Sequence, residues 1–302
     1  MLIALPIRIA CESCLFSGLH NVMITRRILF LAAPALAVSP VVAATQPDES
    51  LATTPLVGDV EEILARKSLV VAMPGFASPP FFGGSSDTPQ GMDADTSQQL
   101  ADALGVKLVL DRSSPTFDGA VALIEQGRAD IVVAKLSRTL GRARNISYSR
   151  PYAQLSHALI INRVRFAILA NGRQPEDVVR SFDGELGVIA GSSFEYYARN
   201  NFTKAKVRTF LAWQELVAAV REGHVDAAYR DDLEIKRLLH EDPSLTIVAR
   251  SVTLTDLTDT IAIGVRRGAP HLLEFVNLFL ELSGRDKPMT ADELVNRYLR
   301  KA

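Results

Sequence analysis

The side chains best suited to small-molecule chemistry fall in one stretch, Ala129-Asp-Ile-Val-Val-Ala-Lys-Leu-Ser-Arg-Thr-Leu-Gly-Arg142. An apolar strand, Ile131 to Ala134, leads into a polar turn carrying Ser137 and Thr139, and Arg142 follows where a helix is expected to start. A guanidinium is a rigid planar fork that matches a carboxylate with two parallel hydrogen bonds. The Ser137 hydroxyl and nearby backbone amides complete an anion site. Gly191-Ser192-Ser193 forms a second candidate, a strand–turn–helix junction. Its glycine permits a tight turn, and the free amides of the helix start favour an anion. A serine there also suits a plain helix cap. Asp231 lies just past a buried apolar run and suits either a helix cap or the partner of a ligand ammonium. Phe81, Phe82 and Phe117 offer apolar contact, although Phe117 equally suits a core. No catalytic set emerges. The histidines His20, His157, His224, His240 and His271 lack metal-ligand spacing, and no nucleophile elbow, dinucleotide fingerprint or phosphate loop is present. Neither a metal nor a cofactor is expected.

The elements that must position these residues alternate. Asp59 to Arg66 has helical spacing, Ser68 to Met73 reads as a buried strand, and Pro74 to Gly91 as a long loop with an exposed-looking Phe81-Phe82. Helix Ala94–Leu104, strand Val106–Leu110 and helix Thr116–Gln126 precede the strand at 129–134. Strand His157–Asn162 follows. A second series then runs: helix Val178–Phe182, strand Glu185–Ala190, helix Phe194–Asn200, strand Ala205–Phe210, helix Trp213–Glu222, strand Val225–Tyr229 and helix Leu233–Leu239. Strands Leu245–Ala249 and Thr260–Val265 and helices His271–Ser283 and Thr290–Leu299 close the chain. The alternation predicts an α/β fold with mostly parallel sheets and ligands at the carboxyl ends of strands. Gln126-Gly-Arg-Ala-Asp-Ile-Val-Val and Glu222-Gly-His-Val-Asp-Ala-Ala-Tyr share one pattern, so two similar lobes with a cleft between them are expected.

The chain has 302 residues, 48% hydrophobic and 22% charged, with a formal net charge of −1. The scattered basic residues give no case for nucleic acid or a membrane surface. Met23-Ile-Thr-Arg-Arg27, the apolar run Ile28 to Ala44, small residues at Val42-Ala43-Ala44 and the polar run Thr45 to Ser50 follow the layout of a secretory signal. Pro34 and Pro40 argue against a retained membrane helix, and Arg26-Arg27 leaves a twin-arginine route open beside the general one. Residues 1–22 imply either a start at Met23 or an extended signal. Cys11 and Cys14 lie there as Cys-x-x-Cys without a strand–helix frame, so no redox role is expected, and cleavage would leave no cysteine.

From about Glu61 onward the chain resembles the extracytoplasmic solute-binding proteins, family 3, of polar amino-acid ABC importers. The matching pieces are Pro79-Pro80-Phe81, Gly91-Met-Asp-Ala-Asp95, Phe117-Asp118-Gly119, Gly127-Arg-Ala-Asp130-Ile, Leu136-Ser-Arg-Thr-Leu-Gly-Arg142, Tyr148-Ser-Arg-Pro-Tyr152, Gly191-Ser192-Ser193 and Val225-Asp-Ala-Ala-Tyr-Arg-Asp231. Each is weak alone; their order and spacing are specific. The resemblance implies a two-lobed periplasmic-binding-protein-like II fold joined by a two-strand hinge. Residues 45–157 plus 255–302 would form lobe 1 and residues 158–254 lobe 2, after an extension and signal over 1–44. It implies that Arg142 grips an α-carboxylate, that Ser137, Ser192 and Ser193 assist, that Asp231 takes the α-amino group, and that Phe81 and Phe117 contact the ligand. Lys135 departs from the family's small residue, Ser78 from its stacking aromatic, and Gly75 from the acid found in binders of basic amino acids. A neutral polar or acidic amino acid, or a similar small carboxylate, is therefore expected rather than lysine or arginine, with Lys135 reading it if that side chain faces inward. The implied setting is a monomer in the periplasm serving an ABC permease, without membrane insertion after signal cleavage. Two alternatives reuse the fold: a cyclohexadienyl-dehydratase-like enzyme, which needs a carboxylic acid to protonate a leaving hydroxyl, and an accessory or sensor subunit.

Overall fold

The computed structural model describes residues 58–299. The expected signal, the Cys11/Cys14 pair and the alternative start at Met23 lie outside the described residues. In chain order the strands are β1 (Ser68–Ala72), β2 (Gly83–Gly84), β3 (Pro89–Gln90), β4 (Lys107–Asp111), β5 (Ile131–Val132), β6 (Ile146–Asn162), β7 (Glu185–Ile189), β8 (Lys206–Phe210), β9 (Ala227–Asp231), β10 (Ala249–Arg266) and β11 (Met289–Thr290). One sheet has the order β4-β1-β5-β10-β6-β9-β7-β8, with β11 on β6 and β2–β3 a separate ribbon. No helix among the described residues is long and apolar enough to cross a membrane.

The sheet serves two lobes. In the first, β1 runs parallel to β4 and β5, and β10 closes the order antiparallel. Its strands are rich in Val, Ile and Leu because helices cover both faces. Leu69, Val71, Ile131, Ile263 and Leu272 are among the core residues there. In the second, β7 runs parallel to β8 and β9, and β9 pairs antiparallel with β6. Successive side chains of a strand point to opposite faces. Accordingly Ala227 and Tyr229 enter one core with Leu186 and Phe194, and Ala228 enters the other with Leu216 and Val220.

β6 and β10 run through both lobes, paired from Ile146↔Arg266 to Asn162↔Ala249. The register shifts between Leu254 and Thr258, opposite Ser156 and His157. A bulge there bends and twists the ladder where the chain passes from one lobe to the other.

Several expectations are corrected. Leu245–Val248 is a single helical turn rather than a strand, because the carbonyls of Pro243 and Ser244 accept the amides of Thr246 and Ile247. The helix expected at 178–182 spans Pro175–Arg180, started by proline at its first position. A further helix, Arg163–Ala170, begins where the Asn162 side chain accepts two amides. β9 extends to Asp231 because His157 pairs with it, so Arg230 and Asp231 belong to the strand rather than to a turn beyond it. Phe81 and Phe82 are 0% and 1% exposed, not surface aromatics. Arg112 ties their loop down by donating to the carbonyls of Pro74, Phe76, Gly83 and Gly84.

Candidate ligand-binding cleft

Lys135 follows β5 with φ of 48°, in the left-handed region that a side chain seldom adopts. Buried Asp93 holds it there, accepting the Lys135 amide at 2.6 Å and the Tyr152 hydroxyl at 2.9 Å. Burial pushes the Asp93 carboxyl up to about 7, against the lowering effect of those hydrogen bonds. So turned, Lys135 crosses the cleft, and its Nζ lies 2.8 Å from Asp231 Oδ2, with both side chains almost fully buried. The same ammonium lies 5.4 Å from the Phe81 ring centroid. Phe81 thus backs the lysine and lines neither cleft cavity.

Asp231 ends β9 and caps helix Asp232–Glu241, accepting the Glu234 amide at 3.0 Å. Burial raises its carboxyl, but the charges of Lys135 and Arg230 with those hydrogen bonds outweigh burial and hold it below the usual carboxylate range. Other contacts also bridge the lobes. Ser137 Oγ lies 2.8 Å from Ser193 Oγ and donates to Asp259 Oδ2 at 2.8 Å. The Tyr197 hydroxyl donates to Asp259 Oδ1 at 3.2 Å, and the Asp118 amide to the Gly191 carbonyl at 3.1 Å. Gly191 has φ of +63°, and a side chain there would press on Thr116. Ser192 turns back to the Ile189 carbonyl at 2.6 Å instead of capping its helix. Burial pushes the Asp259 carboxyl up to about 6, opposed mainly by the Ser137 hydrogen bond.

Phe117, Lys135, Ser137, Ser192, Ser193, Arg230, Asp231 and Asp259 enclose a cavity of about 10 Å³, room for roughly one water. The structure thus brings Phe117, Lys135, Ser137, Ser192, Ser193 and Asp231 of the expected site residues together, with the Asp231 carboxylate paired to Lys135. Arg142 stands apart from it. Its Nε donates to Asp118 Oδ1 at 2.8 Å and its Nη1 to the Ser137 carbonyl at 3.1 Å. Its Nη2 lies 2.7 Å from the same Asp118 oxygen but out of line for a hydrogen bond.

Sequence reasoning missed a larger cavity of about 510 Å³ beside the first, with Arg230 lining both. The first lobe contributes Phe76, Ser78, Arg112 and Ser114, and the second Ile189, Trp213, Arg230, Glu234 and Arg237. Ser78 and Gly75, singled out as departures from the family pattern, lie in its wall. The Arg-Asp-Asp-x-Glu run at 230–234 carried a signal only in part: its charges were visible, but not the direction of Arg230. No cluster of metal-ligating side chains occurs among the described residues.

Residues 69–301 match the family model described as bacterial extracellular solute-binding proteins, family 3. The L-cystine-binding protein TcyJ of Escherichia coli strain K12 is 26% identical over 226 residues, covering 73% of this chain and 79% of that one. A membrane-bound lytic murein transglycosylase F of Idiomarina loihiensis is 29% identical over 173 residues, 54% of this chain. The match spans 36% of the length of that relative. Among solved structures, the ancestral amino acid-binding protein AncCDT-1, a precursor of cyclohexadienyl dehydratase, superposes with a TM-score of 0.62 at 25% identity, covering 79% of this chain and 98% of that one.

Proposed function

From the premise that the chain belongs to the bacterial extracellular solute-binding proteins of family 3, we propose that it captures a small carboxylate in the periplasm by hinge closure and presents it to an ABC importer. The observation that carries this reading is the pair of contacts across the cleft, Ser137 with Ser193 and Lys135 with Asp231. Residues from both lobes meet there only when the lobes are closed, and a solute bound from both sides biases the equilibrium toward that state. β6 and β10, bulged at the crossing, supply the hinge.

The reading is of a receptor rather than an enzyme. Glu234, the acid of the larger cavity, is ion-paired to Arg237, and Asp231 to Lys135. Neither is a carboxylic acid free to protonate a leaving group, and Asp259, raised to about 6, is held on both oxygens by the Ser137 and Tyr197 hydroxyls. Turnover of arogenate or prephenate by the purified protein would overturn this.

The test is a thermal-shift screen over amino acids and organic carboxylates, with small-angle scattering on each hit. A ligand at 100 times its Kd stabilises by about 2.7 kcal/mol, a rise of roughly 5–10 °C for a unit of this size. If no compound of either class shifts the melting temperature, solute capture is wrong.

A further inference from the structure

The larger cavity holds an arrangement that the packing of the protein leaves unfinished. Arg230 is 5% exposed, yet its guanidinium makes no side-chain hydrogen bond among the described residues. Its Nε lies 3.5 Å from Asp231 Oδ2, an ion pair without a hydrogen bond. What surrounds it is aromatic: the guanidinium lies 5.6 Å from the Trp213 ring centroid and 6.0 Å from that of Phe117. A buried guanidinium with several unused donors is costly, and buried polar groups in proteins are nearly always satisfied. Four of the seven other buried atoms that lack a hydrogen-bond partner among the described residues lie at the same place. Ser78 Oγ, Trp213 Nε1, Glu234 Oε2 and Arg237 Nε are all buried without a hydrogen-bond partner, and all belong to residues lining this cavity.

Charge gives the sign of the occupant. The walls carry Arg112, Arg230 and Arg237 against Glu234. Arg112 spends its donors on backbone carbonyls, and Arg237 is engaged with Glu234 and Glu241. Arg230 shares Asp231 with Lys135 and is the one of the three whose guanidinium makes no hydrogen bond among the described residues. The volume, about 510 Å³, falls within the usual range for organic ligands, roughly 300–1,000 Å³. Phe76, Trp213 and Ile189 supply an apolar wall beside it.

We infer that the ligand of this chain lies in this cavity, as an organic carboxylate with an apolar or aromatic body, and that its carboxylate is gripped by Arg230 rather than by Arg142. This rests on the proposed role in solute capture and deepens it. The ligand needs no α-ammonium: Lys135 already supplies one to Asp231 at 2.8 Å. Nor is Arg142 presented to it, being bound to Asp118 and the Ser137 carbonyl. The body stacks on Trp213, which lines the cavity beside Arg230.

The test is a binding titration of the purified protein with 3-phenylpropionate, benzoate and indole-3-acetate, with their alcohols and with the common L-amino acids, read by Trp213 fluorescence and thermal shift. The expected result is that at least one of the carboxylates binds, that its alcohol binds at least tenfold more weakly, and that Arg230→Met weakens it at least tenfold. Arg230→Lys, which keeps the charge but not the fork, falls between and serves if Arg230→Met does not fold. Binding of amino acids alone, lost on Arg142→Met but kept in Arg230→Met, would overturn the inference and leave solute capture standing. Carboxylate binding unchanged in both Arg230 variants would overturn it too. Binding by no compound of either class removes the inference together with the reading beneath it.

Discussion

Replacing Lys135 by methionine keeps an unbranched side chain, one atom shorter, and removes its charge. Asp231 then remains fully buried with one amide hydrogen bond, from Glu234 at 3.0 Å, and Arg230 Nε at 3.5 Å. Breaking a buried ion pair by deleting one partner costs about 3–5 kcal/mol. The remaining amide and the nearby guanidinium place this case at the lower end, near 3 kcal/mol. For a unit of this size that lowers the melting temperature by roughly 6–12 °C. If the protein instead relieves the charge by opening its cleft, the radius of gyration rises and the thermal loss is smaller. The double variant Lys135→Met/Asp231→Asn recovers most of the loss, because the orphaned charge is gone. The dependence on pH follows from the depressed Asp231 carboxyl. Its stabilisation is present above the unfolded value, about 3.9, and is lost as pH falls through the lower folded value. Without Lys135 the carboxyl is protonated more readily, so the gap between variant and wild type narrows as pH falls through about 4. Calorimetry from pH 3 to 8 with scattering at pH 7 reads all of this. A variant that matches wild type in both melting temperature and radius refutes the reasoning, as does a double variant no better than the single one.

Asp259 has its carboxyl raised to about 6, so the folded state binds a proton more tightly than the unfolded one, and this stabilisation is lost as pH rises from about 4 to 6. Relative to Asp259→Asn, the wild type should therefore lose stability across that window and run parallel above it, as urea melts would record. His157 packs at tilted angles against Phe194, Tyr197 and Tyr229, and burial pushes its imidazole down to about 4. Its ring proton resonances should stay those of neutral histidine down to pH 5, and titration near 6.5 would show that the ring is solvated. Trp213 is the chain's single tryptophan and lines the larger cavity. A bound ligand should shift or quench its emission, whereas a ligand that binds without any change in emission lies elsewhere. Ser193→Ala removes the hydroxyl partner of Ser137 across the cleft. It should favour the open form by about 1 kcal/mol, measurable as an increased radius in the absence of ligand.

Much of the frame was legible in the sequence. Helix Asp59–Arg66 could be read from its spacing, its acids at the start and its arginine at the end. The short buried strands could be read because apolar runs of that length, set between glycine-stopped helices, have few other folds available. β6 was legible only in its second half. Ile146 to Ser156 mixes serine, arginine, proline and tyrosine, and its strand character comes from pairing with β10 rather than from local preference. Leu245–Val248 failed in the opposite direction: its apolar content suggested a strand, and the Asp242-Pro243-Ser244 turn wound it into a helix. The duplicated pattern put Ser137 and Asp231 beyond matching strands, and only the family resemblance joined Ser193 to them in one cleft. The direction of Lys135 could not, since it depends on a left-handed backbone held by Asp93, 42 residues away in sequence. Arg230 was invisible as a candidate because what marks it is the lack of a hydrogen-bond partner, which shows only once the neighbours are in position.

The bond between Lys135 and Asp231 also bears on timing. A receptor whose two halves are already fastened by its own ammonium admits solute only while that fastening is undone. Uptake from solution would then be paced by an internal event. At low concentration the observed rate climbs with solute, and beyond that it levels off at the rate of unfastening. The measured affinity is correspondingly diluted by the fraction of molecules open at any moment. Stopped-flow traces that keep rising linearly with concentration would mean that the lysine latch is no obstacle. A plateau that rises in Lys135→Met would time the latch directly.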